Sequence, residues 1–143
     1  MKINLIYKRI INYYETDKMG IVHHSNYIRY LEESRCKWID MLEIPIQYFE
    51  KLNIMIPVLE ISCKYKTAMT VGDIITIKPI LIQYNGVRFT MSYEVLNERT
   101  NQIIIEAYTK HCFTNNKLCP INIKKHDEHI NEIFLENLVI EST

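Results

Sequence analysis

The sequence predicts an α+β fold in which one long helix lies against an antiparallel sheet. Three observations carry that prediction. One amphipathic stripe of helical period spans residues 27–42, period-two alternation dominates residues 54–114, and turn signals at residues 71–73, 85–86 and 97–101 divide the alternating stretch at hairpin distances. At 143 residues the chain has the size of one domain, taken as 1–143, built on one layered core.

The elements follow in chain order. Residues 3–13 carry Ile, Leu and Tyr on both parities, the pattern of a strand covered on both faces or crossing a subunit junction. Tyr27, Tyr30, Leu31, Ser34, Trp38, Met41 and Leu42 then form one helical stripe, with Arg29, Glu32, Glu33, Lys37 and Asp40 on the opposite side. Ser25 or Asn26 is the expected N-cap, and Pro45 sets the stop near Glu43. In residues 54–66 Met55, Leu59, Ile61, Cys63 and Tyr65 alternate with polar residues, as in a half-buried strand. Residues 74–82 are β-branched but include Pro79, which predicts a bulge or an edge there. Asn85-Gly86 marks a tight hairpin into residues 87–95, where apolar odd positions alternate with polar even ones. Residues 102–114 form another strand and residues 127–139 a short terminal helix. A sheet of this size with one principal helix leaves apolar surface uncovered, so a second copy of the chain is expected to cover it.

Composition excludes several function classes. Lys plus Arg equals Asp plus Glu at 17 each, so no global field favours nucleic acid or an anionic membrane. No stretch approaches the length of a membrane span, and Lys8 and Arg9 interrupt the apolar N-terminal segment where a signal peptide would need a continuous one. The four cysteines lack CxxC spacing and read as reduced thiols, which makes the cytoplasm the expected compartment. With 3 Gly and no P-loop, dinucleotide or GxSxG motif, phosphate-loop and serine-hydrolase chemistry have no footing. His126 and His129 have a metal-compatible spacing, but no further ligand cluster accompanies them, and they read as a solvated helix face.

One stretch does carry chemistry. In YYETDKMGIVHHSNYIRYLEESR, Asp17 precedes Gly20, which permits a sharp turn, and His23 and His24 arrive where the helix begins. Unpaired N–H groups at a helix start stabilise a developing oxyanion, and a nearby carboxylate can act as general base or nucleophile on a carbonyl. Spacing leaves two readings of Asp17 open, a loop or cap residue and a catalytic acid; the two histidines are likewise either ring fillers or part of a site. Arg88, Lys64 and Lys66 read either as ordinary surface charge or as a patch contacting the phosphates of a nucleotide-bearing substrate.

The stretch ETDKMGIVHHSNYIRYLEESR, followed by KYKTAMTVGD, resembles the hotdog-fold acyl-CoA thioesterases of the 4-hydroxybenzoyl-CoA thioesterase-like family, through the pattern D-x-x-G-hydrophobic-hydrophobic-x-[HY]-x-x-Y. The resemblance covers nearly the whole chain. It implies a curved antiparallel sheet wrapped around one long helix, with Asp17 as the catalytic acid and Gly20 as the tight-turn residue. It also makes His24 the residue whose N–H faces the thioester carbonyl, and Tyr27 the aromatic one turn further. His23, Arg88, Lys64 and Lys66 are the expected substrate contacts. The implied activity is hydrolysis of small-molecule acyl-CoA without metal or other cofactor, by a homodimer or dimer-of-dimers tetramer that meets edge to edge. A thioesterase acting on acyl carrier protein and a non-catalytic acyl-thioester binding module are the alternatives. Ala68 departs from the proline that relatives commonly carry there.

Overall fold

A computed structural model describes residues 2–44 and 46–140, so Pro45 lies outside the described residues. Among them, the strands β1 (Tyr7–Ile10), β2 (Val58–Tyr65), β3 (Ile74–Tyr84), β4 (Arg88–Asn97) and β5 (Ile103–Cys112) form one antiparallel sheet in the order β1-β3-β4-β5-β2. The helices are α1 (Ser25–Met41), α2 (Ile46–Lys51), α3 (Ile123–His126) and α4 (Glu128–Asn137). This is the α+β arrangement that the periodicity predicts.

The helical stripe becomes the buried face of α1. Tyr27, Tyr30, Leu31, Ser34 and Trp38 are buried against the sheet. Met41, assigned to the stripe, is exposed instead: the inward row at the last turn is Trp38, Ile39 and Leu42, and Met41 sits on its solvent flank. Opposite α1, the odd residues Phe89, Met91, Tyr93 and Val95 of β4 are all buried, as strict alternation requires. Where α1 ends, α4 takes over the cover. Phe134 of α4 is fully buried, and its ring centroid lies 5.2 Å from Phe89, 5.3 Å from Phe113, 5.3 Å from Tyr84 and 5.8 Å from Trp38. Asp127 caps α4 by accepting the Ile130 N–H at 3.0 Å.

A polar chain crosses this core. Arg35 donates to the Tyr93 hydroxyl at 3.0 Å, Tyr93 and Thr109 hydroxyls are 2.7 Å apart, and Thr109 Oγ1 is 2.7 Å from His111 Nε2. Burial, and then the charge of Arg35, push the His111 pKa down to about 3, so the ring is neutral at neutral pH and stacks on Phe89 at 4.8 Å.

Three expectations need correction, and the one for Pro79 holds. The first strand spans only Tyr7–Ile10 and is exposed on alternate residues rather than covered on both faces, because it is an edge strand paired to β3 alone. The strand expected at residues 54–66 begins at Val58, since the chain before it pairs only through an isolated bridge from Met55 to Thr114. Pro79 lies past Ile77, the last β3 residue paired with β1, so β3 is an edge there, as expected, and the missing N–H costs no ladder bond to β1; a bulge follows between Leu81 and Gln83. At the helix start His24, rather than Ser25 or Asn26, is the N-cap, in right-handed helical geometry and without a side-chain cap bond.

The Asn85-Gly86 turn joins β3 to β4, with Asn85 Oδ1 accepting the N–H groups of Val87 and Arg88 at 2.9 and 2.7 Å. Gly86 has φ +91°, and a Cβ there would lie 2.7 Å from Asn122 Oδ1, so both conformation and space demand glycine. β2 at the other end of the sheet is an open edge, with Val58, Leu59, Ile61 and Tyr65 exposed.

Candidate active site

The segment from Thr16 to Val22 folds back on itself, closed by a bridge between those two residues and by Asp17 N–H donating to Ile21 C=O at 2.8 Å. Gly20 makes the reversal possible at φ +77° and donates its N–H to Asp17 C=O at 3.0 Å. The returning limb is held against a neighbouring segment by Val22 N–H to Met69 C=O at 2.9 Å and by a bridge from Ile21 to Thr70. Asp17 is thus carried on a tight, doubly anchored loop.

Its side chain is half-buried. Oδ1 accepts the Met19 N–H at 2.8 Å, a local turn bond that fixes the carboxylate, while Oδ2 has no hydrogen bond among the described residues. Asp17 lines a cleft of about 230 Å³ with Met19, Ile21, Val22, His24, Tyr27, Tyr65, Lys66, Thr67 and Ala68. His24, which lines the same cleft, precedes the first residue of α1, and its backbone N–H makes no hydrogen bond among the described residues. That N–H sits at the positive end of the helix dipole.

Aromatic rings pack around the helix start. Tyr65 donates its hydroxyl proton to His24 C=O at 3.3 Å, and its ring lies 6.3 Å from the His24 ring and 5.8 Å from Tyr27. Burial pushes the Tyr27 hydroxyl up to about 12, so it is protonated at neutral pH and cannot serve the cleft as a base. The His23 ring stacks on His24 at 4.2 Å. His23 Nδ1 lies 2.8 Å from Ser25 Oγ and accepts the Ser25 backbone N–H at 3.2 Å, which fixes the ring beside the helix start.

Asp17, His24, Tyr27 and Lys66 therefore share one cleft, with Gly20 shaping its loop. His23, Lys64 and Arg88 do not line it. His23 stands behind His24, and Lys64 is exposed on β2. Arg88 borders a different cavity of about 650 Å³, lined also by Leu59, Glu60, Tyr84, Lys110 and His111. Glu60 and Tyr65 are five residues apart on β2, roughly 17 Å along the strand. Tyr65, Thr67 and Ala68 are cleft residues that sequence reasoning passed over as site members. Strand parity marks Tyr65 as apolar and the resemblance takes in the whole segment KYKTAMTVGD, but neither says that the end of the strand meets the helix start.

Comparison with known proteins bears on the chemistry. Residues 11–133 match the family model described as the thioesterase-like superfamily. The Bacillus subtilis (strain 168) protein described as "Putative acyl-CoA thioesterase YneP" is 30% identical over 116 residues, which is 80% of this chain and 83% of that protein. A crystal structure of a hypothetical protein from Aquifex aeolicus superposes with a TM-score of 0.78 at 32% identity, covering 90% of this chain and 98% of that one. The DHNA-CoA thioesterase of Staphylococcus aureus superposes with a TM-score of 0.88 over 97% of this chain and 99% of that one, at 23% identity, and so speaks for the fold.

Proposed function

Because the chain belongs to the thioesterase-like superfamily and is a thioester hydrolase, we propose that it cleaves small-molecule acyl-CoA to free acid and CoA, with Asp17 and the His24 N–H as its working groups. One observation carries this reading: Asp17, which has a carboxylate oxygen without a partner among the described residues, and His24, whose helix-start N–H has none either, line the same small cleft. A pure binding module has no use for that pair.

The thioester carbonyl oxygen accepts the His24 N–H, where the helix dipole stabilises the negative charge that develops on it. The Asp17 carboxylate acts as general base on water, or attacks the carbonyl carbon itself. In the second case the carbon–sulfur bond breaks to give an anhydride and thiolate, and water then cleaves the anhydride, returning the carboxylate and giving its protons to the free acid and the thiolate. In the first route water oxygen bonds to carbon, the carbon–sulfur bond breaks, and the proton taken by Asp17 passes to the departing thiolate. Tyr27 walls the acyl group, His23 braces the helix start, and Lys66 supplies a cation at the rim. The reaction as written assigns no cofactor.

We extend the proposal to assembly. The exposed β2 edge is self-complementary when two copies pair antiparallel about Ser62: Glu60 then faces Lys64 of the partner subunit, and Leu59 faces the partner's Tyr65. The same pairing brings the cavity bordered by Leu59, Glu60 and Arg88 beside the partner's cleft, which gives Arg88 a route to the substrate's nucleotide that it lacks within one chain. Lys64 and Arg88 are then substrate contacts across the pair. A dimer is the simplest assembly, and a tetramer would join two of them. Glu60→Lys is expected to raise the dimer dissociation constant about tenfold in sedimentation, because two ion pairs become two repulsions. The double variant Glu60→Lys, Lys64→Glu restores pairing. Unchanged association of the single variant would remove this edge from the interface.

Cys36, Cys63, Cys112 and Cys119 are all free thiols, and no helix of the described residues is long and apolar enough to cross a membrane; the cytoplasm is the compartment this reading assigns. Thiol release from acetyl-, octanoyl- and benzoyl-CoA, and from the same acyl groups on an acyl carrier protein, tests the function. Turnover on the CoA esters is expected. Turnover confined to the carrier protein moves the substrate class, and saturable binding without release of thiol makes the chain a sensor.

A further inference from the structure

Glu15 stands two residues before Asp17, and nearly every polar atom it has is engaged. Its carboxylate is almost fully buried, accepting from Arg9 Nη1 at 2.5 Å and from the Asn12 N–H at 2.9 Å. Burial alone raises its pKa, but the Arg9 and Asn12 hydrogen bonds outweigh that and hold it below the usual carboxylate value. Arg9 in turn donates from Nε to Glu33 of α1 at 2.7 Å and lies over the Tyr30 ring at 4.4 Å. The root of the catalytic loop is therefore tied rigidly to β1 and to the body of α1.

The Glu15 backbone carbonyl makes a second tie. It accepts the His23 N–H at 2.9 Å and the side-chain Nδ2–H of Asn26 at 2.8 Å, across eleven residues of chain. Asn26 is in the first turn of α1, and its own N–H donates to His23 C=O at 2.9 Å. One side chain thus spans from the helix turn that presents the His24 N–H to the root of the loop that presents Asp17. An Asn at this position is expected to cap the helix, yet its side chain bonds away from the helix.

Resting on the catalytic reading above, we propose that Asn26 is a positioning residue for thioester hydrolysis: its amide holds the Asp17 loop in register with the start of α1, so that acid and oxyanion donor address one carbonyl. A displacement of about 1 Å between such groups costs on the order of a hundredfold in rate. The register matters only in the transition state, where both groups act at once.

Asn26→Ala and the equal-sized Asn26→Asp, neither of which donates to Glu15 C=O at neutral pH, test this by thiol-release kinetics on whichever of acetyl-, octanoyl- or benzoyl-CoA the unmodified chain turns over fastest. Both variants are expected to lose about tenfold to a hundredfold in kcat, with KM within about threefold. The double-mutant cycle with Asp17→Asn distinguishes positioning from mere stabilisation. If Asn26 acts through Asp17, Asn26→Ala costs less than about twofold once Asp17 is gone. A kcat within threefold of the unmodified chain, a change in KM alone, or an undiminished loss in the Asp17→Asn background each overturns the proposal. An inactive Asp17→Asn beside a fully active Asn26→Ala sinks this inference alone, whereas an active Asp17→Asn sinks the catalytic reading beneath it.

Discussion

Asp17→Asn is expected to lower acyl-CoA hydrolysis by at least about a hundredfold while leaving melting temperature and assembly within experimental scatter of the unmodified chain. The size follows from the role, since a positioned general base contributes about 10²–10⁴-fold and a nucleophile no less. The selectivity follows from the geometry. Asn keeps a side-chain oxygen to accept the Met19 N–H, so the turn that Asp17 closes survives, and the half-buried site loses only charge and basicity. Steady-state thiol release and thermal unfolding on the same preparations check both halves. Hydrolysis near the level of the unmodified chain would remove Asp17 from the chemistry.

Phe134→Ala is the substitution with the largest expected effect on stability. Phe134 is fully buried among Phe89, Phe113, Tyr84 and Trp38, so truncation removes the ring that joins α4 to both the sheet and the end of α1. Deleting a buried aromatic costs about 3–5 kcal/mol, because the lost transfer energy adds to that of the cavity left behind. For a chain of this size that lowers the melting temperature by on the order of 10 °C. The cleft lies at the opposite end of α1, so kcat on surviving folded protein is expected to stay within about twofold. Thermal unfolding with activity measured well below the transition separates the two. A shift of only a degree or two would mean that the aromatic cluster is not the joint described.

The elements that sequence made legible are those whose signal is local. The α1 stripe repeats over four turns, and the odd residues of β4 alternate without interruption, so period alone identifies both. Asp17, Gly20, His24 and Tyr27 fall within eleven residues, so one contiguous stretch carries them, but spacing leaves their roles open and only the family resemblance singles them out. Strand order is not local. Nothing in residues 58–65 says that β2 crosses the sheet to pair with β5, and it is this crossing that delivers Tyr65, Lys66, Thr67 and Ala68 to the cleft. Arg88 shows the same limit from the other side, since a place beside a turn does not say which cavity the sheet carries a residue to, and within one chain Arg88 borders a cavity separate from the cleft. The helix α2 went unread because six residues are too few to display a period. Asn26 was read as a cap because Asn commonly is one, and only the fold reveals the Glu15 carbonyl within its reach.

A structure of the chain bound to an acyl-CoA analogue with a methylene inserted between carbonyl and sulfur, which cannot be hydrolysed, tests the central claim most directly. The account predicts the ketone oxygen within about 3.2 Å of the His24 backbone nitrogen and the carbonyl carbon facing the free oxygen of Asp17, directly or through one water. A ketone seated in the cavity beside Arg88 of the same chain, or in the cleft with its oxygen turned away from the start of α1, would contradict it.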